Sequence, residues 1–191
     1  VYNDGRPVII DVGVGTYSRD TFNENRYTIW TMQSLYHNLP IVNGKGEHEG
    51  EKYIAENVSH SFADEKDIFS LNLKKAYETD CGIENWIRTA ELDRKEKTIT
   101  VEDDFRLNRQ SELEFTLMLA NKPTINENMV KAGNCKIAIV SDCKMEVFCE
   151  EIMITDSKLY NEWGDSIYRI HIKFAEKVKS GKIKVKINRD F

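Results

Sequence analysis

Long apolar runs are missing from this sequence. No stretch approaches the roughly 20 consecutive apolar residues of a membrane-spanning helix, so a helical membrane span is not expected and a membrane is not an expected partner. Cysteine is scarce: Cys81, Cys135, Cys143 and Cys149 contain no Cys-x-x-Cys pair, and four in 191 residues do not make a disulfide scaffold, so they read as buried free thiols. There are three prolines and no Pro/Ser-rich, repetitive or low-complexity tract that would mark an internal linker. Positive charge does not predominate either. Lys+Arg number 27 against 32 Asp+Glu, a net charge of −5, which is the wrong sign for holding a polyphosphate by bulk charge. Nucleic acid is therefore not an expected partner, whereas an anionic sugar polymer is compatible with a local basic groove. No Gly-x-Ser-x-Gly, P-loop or dinucleotide fingerprint is present. The chain opens on Val1-Tyr2-Asn3-Asp4-Gly5, which reads as strand and turn and leads us to expect a piece of a longer protein.

What is present is alternation. The sequence is 40% hydrophobic and 10% aromatic, enough for a sizeable core, and its apolar residues recur with the period of a half-buried strand. Leu113, Phe115, Leu117 and Leu119 alternate with Glu112, Glu114 and Thr116, and Tyr168, Ile170, Ile172 and Phe174 with Arg169, His171 and Lys173. Ile183, Val185 and Ile187 alternate with Lys182, Lys184 and Lys186, a lysine row read as a solvated face that discourages edge-to-edge pairing. Further strands are predicted over residues 8–11, 53–59, 68–73, 86–92, 98–101, 136–140, 144–149 and 152–155. Helical signal is weak: residues 74–79 suit one turn, and residues 26–35 fit neither period. Ten or more strands without crossover helices predict an all-β fold, an antiparallel β-sandwich of two packed sheets.

The segment with chemical content is Val8-Ile9-Ile10-Asp11-Val12-Gly13-Val14-Gly15-Thr16-Tyr17, an apolar strand ending in an acid before two glycines. A second follows, Tyr36-His37-Asn38-Leu39-Pro40-Ile41-Val42-Asn43-Gly44, where an imidazole and an amide precede a short strand and an Asn-Gly turn. Asp11 and His37 are of the types that bind zinc, but they supply half of a four-ligand site. Their everyday roles are the capping of a turn and a hydrogen bond to a backbone carbonyl.

The runs RPVIIDVGVGTY, RYTIWTMQSLYHNLPIVNG, WIRTAELDRKEKTITVEDDF and WGDSIYRIHI occur in an order that resembles the C-terminal β-sandwich domain of heparinase II/III-like polysaccharide lyases. The most specific part is the coupling of Asp-x-Gly-x-Gly-x-Tyr to the His-Asn pair, with Asp11 and His37 separated by 26 positions. The resemblance covers most of residues 1–191 and implies an α/α toroid upstream, with the polysaccharide in the groove between toroid and sandwich. It also implies cleavage of uronic-acid-containing polymers such as heparin, heparan sulfate or alginate by β-elimination. The catalytic Tyr, His and Asn would come mainly from the toroid, so no catalytic residue is assigned within this chain. Zinc is implied as a cofactor, with Asp11 and His37 matching two of its ligands and a first His expected before Val1.

Tyr27 lies where relatives place a substrate-approaching Tyr, and Arg26 beside it suits a uronate or sulfate; a packed aromatic and a surface ion pair are their ordinary alternatives. Glu47 and His48 stand where the family pattern suggests a Gln; facing the groove and being solvated are the alternatives, and the second is preferred. Asp103 and Asp104 are read as turn residues after the strand at 98–101, His60 and His171 as structural or exposed, and Trp86 as core. Trp30 and Trp163 remain candidates for stacking on sugar rings. The first reading is a lyase domain that supplies one wall of the substrate groove, with an anionic polysaccharide and the upstream toroid as partners. The alternative is a non-catalytic carbohydrate-binding or structural module. Relatives occur in both periplasm and cytoplasm, and unpaired cysteines favour a reducing compartment.

Overall fold

The computed structural model describes residues 1–189. Fourteen strands and one short α-helix form its regular elements, together with six 3₁₀ turns. A small hairpin, β1 (Tyr2–Asn3) and β2 (Arg6–Pro7), leads into an irregular segment and then β3 (Pro40–Val42). Five longer strands follow: β4 (Glu56–Phe62), β5 (Lys66–Asn72), β6 (Ile83–Asp93), β7 (Thr98–Ser111) and β8 (Leu113–Leu119). The second half comprises β9 (Thr124–Asn126), β10 (Met129–Ala132), β11 (Cys135–Ser141), β12 (Met145–Met153), α1 (Ser157–Trp163), β13 (Ser166–Phe174) and β14 (Val178–Arg189).

Two antiparallel sheets carry the architecture, an eight-stranded one ordered β4-β5-β6-β7-β14-β11-β10-β9 and a four-stranded one ordered β12-β13-β8-β3. The expected all-β sandwich is the observed fold. Its core is built from the residues whose alternation marked the strands: Ile183, Val185 and Ile187 of β14, Phe115 of β8 and Ile170, Ile172 and Phe174 of β13 are all buried. Four aromatic rings join the sheets. Trp86 stacks on Phe105 at 5.0 Å between centroids and meets Phe115 at 5.8 Å, while Phe174 lies 5.9 Å from both Phe105 and Phe115. Trp86 and Phe105 belong to the large sheet and Phe115 and Phe174 to the small one, so these contacts fix how the layers stack.

Several sequence expectations are corrected. The acidic pair Asp103-Asp104 lies inside β7, which runs on to Ser111, and not in a turn. The lysine row faces solvent but sits on an interior strand, where Lys182 and Lys184 pair with Asp104 and Glu102 of β7 at 2.7 and 2.8 Å. It therefore does not protect an edge. The two strands expected over residues 144–149 and 152–155 are one, β12, which ends at Met153. Only Cys81 and Cys135 are buried; Cys143 is half-buried, and Cys149 is exposed on the edge strand β12 although it pairs with the buried Ile170. Residues 8–11 do not form a full strand: Ile9 makes one bridge to Leu119, and Ile10 N–H donates to the Met118 carbonyl at 2.9 Å. No helix among the described residues is long and apolar enough to cross a membrane.

Candidate functional site

The segment after β2 runs along the end of β8 and then leaves it, and Asp11 is the first residue past that pairing. One carboxylate oxygen of Asp11 accepts the Gly13 N–H at 3.0 Å. Gly13 has φ +76°, the left-handed conformation that this tight turn needs and that a side chain disfavours. The other oxygen lies 2.7 Å from Nδ1 of His37. His37 caps a 3₁₀ turn at Ser34–Tyr36, its N–H donating to the Ser34 carbonyl at 3.1 Å, and its own carbonyl accepts from the buried Thr116 hydroxyl at 2.6 Å. The two residues that were 26 positions apart are thus in direct contact.

Asn38 explains why the amide accompanies the imidazole. Its side-chain nitrogen donates to the Ile10 carbonyl at 2.9 Å and its oxygen accepts the Met118 N–H at 2.8 Å. It bridges the strand end carrying Asp11 to β8, bringing residue 37 beside residue 11. The Asn38 carbonyl accepts in turn from the Arg88 guanidinium at 3.0 Å. Arg88 is clasped on its other side by Asp103, with Nε–Oδ1 and Nη2–Oδ2 both at 2.9 Å, and Trp86 Nε1 donates to the same carboxylate at 2.7 Å. Asp103 is 3% exposed, so this is a buried charge pair with its hydrogen bonds satisfied, as burial demands. A second clamp acts from the small sheet: Arg169 donates to the Leu35 carbonyl at 3.1 Å and its guanidinium lies 4.4 Å from the centre of the Tyr36 ring. Arg169 and His171 both bind Glu150, and His171 also binds Glu114, whose carboxyl that hydrogen bond holds below the ordinary range.

Above this support lies a cavity of about 760 Å³ whose walls include Asp11, Tyr27, His37, Asn38, Glu47 and His48. Its volume falls within the roughly 300–1,000 Å³ usual for ligand sites. Glu47 and His48 correct the sequence reading, since both are half-buried in the wall. They arrive there because Asn43 and Gly44 adopt positive φ in a two-residue turn closed by Val42 and Lys45, which folds residues 45–49 back over the 3₁₀ turns. Burial pushes the Glu47 carboxyl above the ordinary range, against the opposing pull of Arg88 and His37. Tyr27 lines the cavity, 44% exposed, whereas Arg26 is exposed and is not part of the wall.

The eight-plus-four sandwich just described superimposes on solved structures of known enzymes. It matches a mutant of heparan sulfate lyase HepC from Pedobacter heparinus with a TM-score of 0.69 and 18% identity, over 96% of this chain and 28% of that one. It matches a structure of heparinase III with a TM-score of 0.68 and 15% identity, over 99% of this chain and 29% of that one. The fold is heparinase-like. At these identities the likeness is one of fold, and the chain spans less than a third of the length of either protein. No protein-family model matches the chain, and no curated protein matches it.

Within this heparinase-like sandwich the remaining candidates fall elsewhere. His60 is exposed on the edge strand β4, and Trp86 is fully buried in the core. Trp30 opens the 3₁₀ turn Trp30–Met32 and packs edge-on against Tyr36 at 5.1 Å. Among the described residues no three His, Cys, Asp or Glu side chains converge as a metal site. Asp11 grips Nδ1 of His37, the arrangement in which a carboxylate orients an imidazole whose other nitrogen does the binding.

Proposed function

We propose that this chain, residues 1–191, is the sandwich domain of a polysaccharide lyase that cleaves uronic-acid-containing polysaccharide of the heparan sulfate, heparin or alginate type by β-elimination. The α/α toroid implied by the sequence resemblance lies upstream in this reading, and the cavity beside Asp11 and His37 forms one wall of the groove. The observation that carries the proposal is the heparinase-like fold over nearly the whole chain, with the two motif segments meeting at a cavity.

β-Elimination removes the proton at C5 beside the uronate carboxylate and protonates the leaving glycosidic oxygen. It therefore needs a base, an acid and groups that tolerate charge building on the carboxylate. The base and acid are assigned to the toroid. His37, oriented by Asp11, presents its second nitrogen for a hydrogen bond to a sugar, and the Tyr27 hydroxyl and Arg26 guanidinium are the proposed substrate contacts. Glu47 retains its proton to a higher pH than an ordinary carboxyl and in that form donates to a uronate carboxylate instead of repelling it.

Zinc is part of the expectation, but the described residues bring together at most two donors here, half of a tetrahedral set, and one holds the other by a hydrogen bond. No step is therefore derived through a metal. If Asp11 and His37 nonetheless share one in the longer protein, replacing either with Ala lowers its zinc content; unchanged stoichiometry removes them from any site.

The test is the ultraviolet absorbance of unsaturated uronate formed by the longer protein on heparin, heparan sulfate, hyaluronan and alginate. Product on at least one polymer supports the lyase. Binding of sugar without product on any supports the carbohydrate-binding module.

A further inference from the structure

A second cleft, of about 530 Å³, opens beside the end of α1 and shares no lining residue with the Asp11–His37 cavity. One wall is the indole of Trp163. Its Nε1 donates to the Val12 carbonyl at 3.0 Å, which locks the ring, and part of the ring packs on the cluster of Ile10, Val12, Met118 and Leu159. The ring is half-buried, and its remaining surface lines the cleft. The other walls carry Arg6 of β2, Asn121 after β8, Asn134 between β10 and β11, and Glu162.

Of the polar side chains here, only that of Asn121 is held by a hydrogen bond among the described residues, and all four keep hydrogen-bonding capacity. Asn121 donates its amide nitrogen to the Pro7 carbonyl at 3.1 Å, and its side-chain oxygen has no partner among the described residues. Asn3 donates to the Asn134 carbonyl at 3.2 Å, tying the hairpin to the β10–β11 turn, while the Asn134 side chain makes no bond among the described residues. The Arg6 guanidinium and the Glu162 carboxylate likewise have no partner among the described residues. A rigid indole face, two amides and an unpaired guanidinium and carboxylate are together suited to one ligand class. The C–H face of a pyranose packs on an aromatic ring, its hydroxyls pair with amides and carboxylates, and a guanidinium takes a sugar carboxylate in bidentate fashion. The opposite charges of Arg6 and Glu162 leave the cleft near neutral, which fits a ring with a single carboxylate better than a polysulfated one.

We propose that this cleft is a second saccharide subsite, taking a uronate-bearing ring of an oligosaccharide; the choice of sugar rests on the lyase reading above. It adjoins the first cavity through the shared segment of residues 6–12, whose two ends reach the two clefts.

The test is nuclear magnetic resonance titration of the chain with a heparan sulfate tetrasaccharide. The proposal expects shifts at the Trp163 indole N–H and the Asn121 and Asn134 side-chain amides, retained in His37→Ala. It expects binding weaker by about tenfold in the double variant of exposed Arg6→Ala with half-buried Asn134→Ala, its other resonances unchanged. Shifts confined to residues around Asp11 and His37, equal affinity in the double variant, or no shifts at all would overturn it. The two readings fail separately: shifts at Trp163 without lyase product contradict the lyase alone, and product without those shifts contradicts the subsite alone.

Discussion

Arg88 places a cation on the same face of β6 as Trp86, and Asp103 places an anion on the same face of β7 as Phe105. In the adjacent strands these parities coincide, so the pair meets inside the sandwich and reaches out to the Asn38 carbonyl. Removing one partner leaves a buried charge unpaired, so Arg88→Met or Asp103→Leu alone should lower stability by about 3–5 kcal/mol, and the double variant by less than either. Urea unfolding checks this. Glu47 gives a pH-dependent counterpart. Its raised pKa means that ionisation costs the folded state, a cost that begins as pH rises through the unfolded carboxyl value and is complete above the folded one. Glu47→Gln should therefore gain stability on the wild type as pH rises above about 4, which thermal melts over a pH series measure. Thiol labelling of the native chain should modify exposed Cys149 first and leave Cys81 and Cys135 untouched until denaturant is added. The Asp11–His37 contact was legible because two motifs carried it. The Arg88–Asp103 pair was not: a charged residue in an alternating strand reads as outward-facing until the neighbouring strand and its register are known.

Strand alternation was sufficient for β6, β8, β13 and β14, where one face is packed and the other wet. Where neither face is packed it was less exact: the strand expected over residues 53–59 is β4, displaced by three residues. All but the first residue of β4 are exposed, and residues 19–36 are consecutive 3₁₀ turns whose aromatic spacing matches no regular period. The helix α1 was also missed, being seven residues long and defined more by its cap than by an apolar stripe. Asp156 is that cap, accepting from the Lys158 and Leu159 N–H groups at 3.0 Å and from Thr16 N–H at 2.8 Å, which ties the glycine turn to the helix. Gly15 allows this approach, since a Cβ there would lie 3.2 Å from the Asp156 carboxyl. These backbone bonds hold the Asp156 carboxyl below the ordinary range. A lowered folded-state pKa gives stability that is present above the unfolded value and is lost as pH falls through the folded one. Asp156→Ala should cost about 1 kcal/mol at pH 7, and its deficit against the wild type should shrink below about pH 4.

The two sheets, joined by the Trp86, Phe105, Phe115 and Phe174 rings, enclose a continuous core, so the chain should unfold cooperatively and give dispersed resonances in isolation. A collapsed spectrum would contradict the domain limits of residues 1–191. The sandwich was readable from periodicity because each sheet has one packed and one wet face; the function was not, because the chain covers less than a third of the enzymes it resembles in fold. What the sandwich contributes is a cavity lined by residues of its turns and loops, His37 among them. The decisive measurement is the rate of unsaturated uronate formation on heparan sulfate by the longer protein with and without the His37→Ala replacement. A fall of about tenfold or more in kcat/KM, with folding intact, is the expected result; an unchanged rate would contradict the placement of the substrate groove against this cavity.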